Sequence, residues 1–175
     1  GNYNTLSHNV LSHGSFGIQV HFSSNNTLEE NTIADTGTGI ELNGGGQSLN
    51  THGNVLIKNA LHDNKYGIKI DGAASFSTIQ LNTLKNNERD VYAPVSVIGN
   101  NLISRNNFIA NTEKNAIDNG FDHWNSSSVG NYWEFYVQSG FCYDNDNNTI
   151  CDDPWGIWGN GMNFDYFPST VPFVT

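Results

Sequence analysis

Along the first two thirds of the chain, short apolar-polar alternations return in register. An Asn-x-aliphatic-x-x-Asn-x-aliphatic unit occurs at Asn4, Leu6, Asn9 and Leu11, then at Asn26, Leu28, Asn31 and Ile33. It recurs at Asn54, Leu56, Asn59 and Leu61, and at Ser77, Ile79, Asn82 and Leu84. A fifth copy is Asn101, Ile103, Asn106 and Phe108. The copies start 22, 28, 23 and 24 residues apart. Nine residues after the second Asn comes another apolar column, Ile18, Ile40, Ile68 and Val91, with Ile117 two residues late. Its alternation partner is Val20, Leu42, Ile70 and, weakly, Ala93; Gly17, Gly39 and Gly67 precede this strand in the first three copies.

Period-2 alternation in such short runs predicts strands. Three strands cut by turns in about 22 residues cannot keep constant register in a hairpin sheet. They can wind into one coil of a parallel β-helix, each strand pairing with its copy about 4.8 Å above. The prediction is an all-β fold of about five such coils. Asn9, Asn31, Asn59, Asn82 and Asn106 then stack at one corner as a ladder, each amide bonding to the coils on either side. Tolerance of the left-handed turn conformation is a second reason to expect Asn there. The extra residues before the third copy, within "NGGGQSLNTHG", predict a loop bulging from one corner.

The repeat gives way after Asp118, dividing the chain into coils at 1–118 and a closing segment at 119–175. All four Trp residues lie in the second part, at Trp124, Trp133, Trp155 and Trp158, with Tyr132 and Tyr136 beside them. The last coil of a β-helix exposes an open edge and an apolar end. The aromatics are expected to form its irregular cap, or else a platform for stacking sugars.

"DNDNNTICDDPW" places Asp144, Asp146, Asn148, the Ile150 carbonyl and Asp152 at positions 1, 3, 5, 7 and 9 of a calcium-loop pattern. Thr149 replaces the central Gly, Trp155 replaces the bidentate Glu, and calcium is the expected ion. The only cysteines, Cys142 and Cys151, bracket this loop and predict a disulfide formed in an oxidising compartment. Sequons at Asn25, Asn125 and Asn147 fit glycosylation of an exported chain.

Seven Lys plus Arg against 17 Asp plus Glu give a formal charge of −10. That balance argues against nucleic acid and anionic membranes as partners, since both require a basic face. No apolar run approaches the roughly 18 residues of a membrane span. The chain opens inside a repeat and reads as a mature or excised piece of a longer precursor.

The repeats, with "GNYW" at Gly130 to Trp133, "DNDNNTICDDPW" at Asp144 to Trp155 and "DYFP" at Asp165 to Pro168, resemble the right-handed parallel β-helix superfamily in its pectate-lyase-like and NosD-like branch. The closing segment resembles that of bacterial and archaeal surface members. Asn148, Thr149 and Cys151 depart from the acidic-Gly-Ile-Gly pattern there. The resemblance covers nearly the whole chain and implies an extracytoplasmic, right-handed parallel β-helix with a C-terminal cap. Members include carbohydrate-active enzymes, a copper-pathway accessory protein and surface proteins, so the fold does not choose among functions.

The leading expectation is a non-catalytic extracellular structural or adhesive module that associates with itself head-to-tail, and could build a filament. An uncovered first coil would be a template for another chain, and the apolar end "STVPFVT" could add a strand to a neighbour. The alternative is a carbohydrate-active β-helix, a lyase, hydrolase or glycan binder. A lyase would use Lys58, Lys69, Arg89 or Arg105 as base, though Lys69, Glu41 and Gln19 fall at matching outward positions and read as a salt-bridged ladder. Copper handling would need histidines in one column, whereas His8, His13, His21, His52, His62 and His123 are scattered.

Overall fold

The structure is a computed structural model that describes residues 1–175 apart from 46–50, 96–98 and 111–114. Three parallel sheets run the length of the stack. The first contains Thr5–Ser7, Thr27–Glu29, Val55–Ile57, Thr78–Gln80 and Leu102–Ser104. The second contains Val10–Ser12, Thr32–Ala34, Ala60–His62, Thr83–Lys85, Asn107–Ile109 and Tyr132–Trp133. The third, with the longest strands, contains Phe16–His21, Thr38–Asn43, Tyr66–Asp71, Arg89–Ala93 and Ala116–Asp118. The repeat is therefore a parallel β-helix, one strand of each sheet per coil.

Register follows the sequence columns. Leu6, Leu28, Leu56, Ile79 and Ile103 pair in line, as do Leu11, Ile33, Leu61, Leu84 and Phe108. From the second coil onward these aliphatics are fully buried, and stacking is what buries them. Gly17, Gly39 and Gly67 stack at the entry to this strand with no room for a side chain. A Cβ on Gly39 would lie 2.6 Å from the Gly67 carbonyl oxygen.

Three details differ from the sequence reading. Val91 pairs with Ala116 and Tyr92 with Ile117, so Ala116 continues the inward column and Ile117 faces out. The residue in the left-handed region is not the ladder Asn but the one before it: His8, Glu30, Lys58, Leu81 and Arg105 all have φ between 52° and 58°. Each sits at a corner, and the N–H groups of His8, Glu30 and Lys58 reach a carbonyl of the next coil. Stacking, not turn propensity, is what the Asn supplies. Finally, the stack continues beyond Asp118. His123 bridges Leu102, and Tyr132 and Trp133 pair with Asn107 and Phe108. Asp122, Trp124, Asn131 and Trp133 thus form a further copy of the polar-x-apolar unit, with Trp where the earlier coils have aliphatics.

The remaining chain closes this end. Trp133 stacks on Phe108 at 4.1 Å between ring centroids, and Trp155 packs against Tyr136 at 4.8 Å. Cys142 and Cys151 form a disulfide, with Cys151 buried against the core. The tail returns along its own second sheet. Phe173 N–H donates to Asn107 Oδ1, and Asn107 Nδ2 donates to the Phe173 carbonyl. "STVPFVT" is therefore engaged with its own chain rather than presented to a neighbour. Of the predicted corner loop, residues 46–50 lie outside the described residues; Thr51–His52 after it pairs with Ala74–Ser75.

Asn59 is the central member of the ladder. Its Oδ1 accepts from Asn31 N and Nδ2, and its Nδ2 donates to the Leu28 carbonyl and to Asn82 Oδ1. Asn59→Ala leaves several buried partners unmet, at about 1–3 kcal/mol each. Urea unfolding should show a loss of about 3 kcal/mol or more. Gly39→Ala should cost about 1–3 kcal/mol through overpacking.

Candidate functional site

Within each ladder the hydrogen bonds have one direction. Asn9 Nδ2 donates to Asn31 Oδ1, Asn31 to Asn59, Asn59 to Asn82, Asn82 to Asn106 and Asn106 to Asn131, all at 2.9–3.0 Å. A second ladder runs Asn4 to Asn26 to Asn54, then through Ser77 to Asn101. The bonds from one ladder residue to the next point toward the C-terminal end throughout, while most of the Asn Nδ2 groups also donate back to a carbonyl of the preceding coil. The last member must accept without needing to donate onward, and a carboxylate does that. Asp122 Oδ1 ends one ladder, accepting from Asn101 N and Nδ2 at 3.0 and 2.8 Å. Asp165 Oδ2 ends the other, accepting from Asn131 N and Nδ2 and from the Trp133 indole. Asp118, which continues the Ala93 column, accepts from the Trp124 indole, Asn163 Nδ2 and Gly120 N.

These acids are the buried charges of the molecule's C-terminal end. Burial pushes Asp165 up to about 6 despite its N–H donors. Burial first, and the neighbouring Asp118 second, push Asp122 up to about 7. The sequence reading missed both residues. For Asp122 a signal was present, since it lies 21 residues after Asn101 as Asn131 lies 25 after Asn106, whereas Asp165, 34 residues beyond Asn131, is outside the repeat spacing. Trp at the aliphatic positions hid it.

On the outer face of the third sheet, Gln19 Nε2 donates to Glu41 Oε2 at 2.8 Å, and Lys69 Nζ donates to Glu41 Oε1 at 3.2 Å and to Asp71 Oδ2 at 2.6 Å. Burial opposes the Lys69 charge, but the bonds to Asp71 and Glu41 outweigh it and hold the ammonium above its ordinary pKa. A proton held that tightly makes Lys69 a poor base. Lys58 lies 3.9 Å from Glu30, Arg89 donates to the Glu88 carbonyl, and Arg105 is exposed at its corner. The four basic residues are not gathered at one site.

The histidines are also dispersed. His8 meets Glu30 and His62 meets Asp63, His13 bonds Ser12, His21 stacks on Phe22, and none lies beside another in a strand pair. With both thiols in the disulfide, the donor set does not fit a copper centre. Among the described residues no three His, Cys, Asp or Glu side chains gather as a metal site.

In the acidic loop, Asp144 accepts from Asn148 N and Thr149 N, Asp146 from Asn148 Nδ2, and Asp152 from Asn145. Ile150 N–H donates to Asn148 Oδ1. The disulfide ties the two ends of the loop, and Thr149 takes a φ of 69°. Calcium would draw these carboxylates away from their backbone partners and onto itself. Of the sequon residues, Asn25 and Asn147 are exposed at corners, whereas Asn125 accepts from Tyr166 N and donates to the Ser126 carbonyl.

Stacked coils, directional amide ladders and an aromatic end cap define a parallel β-helix repeat protein. Residues 1–138 match the family described as periplasmic copper-binding protein (NosD), and the chain belongs to that family. Comparison with curated proteins and with solved structures gives no match.

A folded-state pKa above that of the unfolded chain means that the folded protein holds the proton more tightly. The stability contributed by Asp122 and Asp165 is therefore complete below about pH 3.8 and is lost as pH rises through 6 and 7. Thermal unfolding should show a midpoint higher at pH 5 than at pH 8, and Asp122→Asn should remove much of that difference.

Proposed function

We propose that the protein is an exported, non-catalytic structural β-helix module that associates with copies of itself end to end. The carrying observation is the commitment of its polar groups. Ladder amides satisfy one another, and the outward Lys69, Glu41 and Gln19 are bonded together rather than gathered around a cleft. Export is supported by the disulfide and by the family's description as periplasmic. Among the described residues, no helix is long and apolar enough to cross a membrane.

Both ends offer apolar surface for the association. At the first coil Leu6 is exposed and Leu11 half-buried, around a cavity of about 600 Å3 that also borders Gly17 and Ile18. At the other end Phe141, Tyr143 and Trp158 are exposed on the cap. Seating the cap of one copy on the first coil of the next is a heterologous contact, which propagates into a filament. The contact is side chain against coil, because the tail strand is engaged internally.

The alternative is glycan binding through the exposed cap aromatics, whose faces suit pyranose rings. The acidic loop adds calcium, held by Asp144, Asp146, Asn148, the Ile150 carbonyl and Asp152, as a stabiliser of the cap. Glycans are assigned to Asn25 and Asn147, which are open, more readily than to Asn125, whose amide is engaged.

Light scattering after size exclusion should give a mass that rises with concentration, and Leu6→Lys should reduce it to the monomer. A monomer at every concentration rejects self-association. Calcium at 100 times its dissociation constant should stabilise the fold by about 2.7 kcal/mol, and Asp144→Asn should abolish the gain.

A further inference from the structure

Asp122 is only 5% exposed, and its two carboxylate oxygens face different surroundings. Oδ1 is taken by the end of the Asn101 ladder. Oδ2 has no hydrogen-bond partner among the described residues, and Asp122 lines a pocket of about 280 Å3 between the last coil and the cap. The walls include Phe164 and Tyr166, whose rings lie 5.7 Å apart, with Met162 and His123 at the rim. Asn163 also lines the pocket. Its Nδ2 is spent on Asp118 and the Gly120 carbonyl, which leaves its Oδ1 as a second free acceptor.

The buried part of this pocket offers acceptors, aromatic faces and a thioether, the His123 ring and the Tyr166 hydroxyl are the donors in its lining, and no Lys or Arg lines it. Asp118, close enough to act on Asp122 electrostatically, has no cationic partner among the described residues either. A buried carboxylate without a counter-charge is costly, and a positive group bearing N–H donors removes that cost. A hard metal ion needs about six oxygens or more, and two free ones are available. An ammonium suits them better, with its alkyl stem against Phe164, Tyr166 and Met162 and its charge favoured by the ring faces.

We propose that this pocket is a binding site for an organic cation, a primary ammonium on a short apolar stem, held by Asp122 Oδ2 with Asn163 Oδ1 as the second acceptor. Such a group is carried by a lysine side chain of a partner protein; an amino sugar carries the same ammonium on a polar ring instead of an alkyl stem. The inference does not rest on self-association, since neither the first-coil cavity nor the exposed Phe141, Tyr143 and Trp158 of the cap contributes to this pocket.

In the unliganded protein burial favours a proton on Asp122, and that proton belongs on Oδ2, the oxygen the ladder leaves open. A bound ammonium replaces it. The titratable groups facing the site are Asp118 and His123. Affinity for the lysine probe, whose ammonium stays charged across the range, should therefore rise about tenfold from pH 6 to pH 8 as a group titrating near neutrality ionises. One proton, or a fraction of one, is released on binding.

The test uses the whole chain, 15N-labelled, with the Trp124 indole and His123 resonances as reporters. The probes are Nα-acetyl-lysine amide and glucosamine, each paired with a neutral counterpart, Nα-acetyl-norleucine amide and glucose. Saturable shifts with an ammonium probe and none with its neutral counterpart support the site. The lysine probe alone points to a protein partner, glucosamine alone to an amino sugar. Asp122→Asn should weaken binding at least tenfold while the remaining resonances keep their positions. If that variant does not fold, Tyr166→Ala, at the exposed wall, should weaken binding severalfold, and the pH profile stands on its own. Equal binding of neutral counterparts, unchanged affinity in both variants, or no saturation up to roughly 50 mM, beyond the millimolar range of a weak site, overturns the proposal.

Discussion

The structure depends on one repeated hydrogen-bonding unit, the carboxamide of an Asn held at a corner between coils. The corner backbone is buried, so its N–H and C=O groups need partners that water cannot supply. Each ladder amide reaches three coils. Asn82, for example, accepts from Asn59 N and Nδ2, donates forward to Asn106, and donates back to the Leu56 carbonyl. Those bonds fix how far each coil is rotated against its neighbours, and the aliphatic columns align because the corners do. Ser77 shows what is lost when the amide is replaced. Its hydroxyl accepts only from Asn54 N, at 3.3 Å, and the forward bond from Asn54 Nδ2 is missing.

Direction follows from the same unit. A ladder whose every side-chain amide donates toward the C-terminal end, as well as back to a carbonyl, cannot simply stop at another amide, because the last Nδ2 would have no side-chain acceptor ahead of it. Asp at 122 and 165 resolves this with a carboxyl oxygen that accepts and need not donate onward. The aromatic cap obeys the same rule, since the indole N–H groups of Trp124 and Trp133 each find a carboxylate, Asp118 and Asp165. Charge at this end is therefore a by-product of terminating polarity, and desolvation rather than catalytic need explains the raised pKa values.

Much of this was legible in the sequence and some was not, for definite reasons. Aliphatic columns and the ladder Asn residues recur at near-constant spacing, so fold and register could be read directly. The pattern failed where chemistry changed while geometry did not. Asp122, Trp124, Asn131 and Trp133 occupy the same positions as Asn101, Ile103, Asn106 and Phe108, yet an acid and two indoles do not look like an amide and aliphatics. Ile117 was misassigned for the converse reason: Ala116 has the geometry of the core position without its usual size. The left-handed corner residues, among them Glu30, Lys58 and Leu81, carry no compositional signature. The pocket beside Asp122 was unreadable because Met162, Asn163, Phe164 and Tyr166 reach it from some forty residues away.

The three terminal acids are not equivalent, and their difference separates scaffold from chemistry. Asp165 receives four N–H bonds, which use both of its oxygens. Asp118 receives three, also on both oxygens. Asp122 receives two on a single oxygen. A structural terminator gains from a complete set of donors, because each further bond offsets part of the cost of burying its charge. Had the cap been shaped only to close the stack, a residue donating to Asp122 Oδ2 would have served it, much as Phe167 N–H serves Asp165. Instead the surrounding wall contributes acceptors and ring faces. The ladder amides bind one another from coil to coil, and among the described residues Asp122 keeps one carboxylate oxygen without a hydrogen bond at the point where the stack ends.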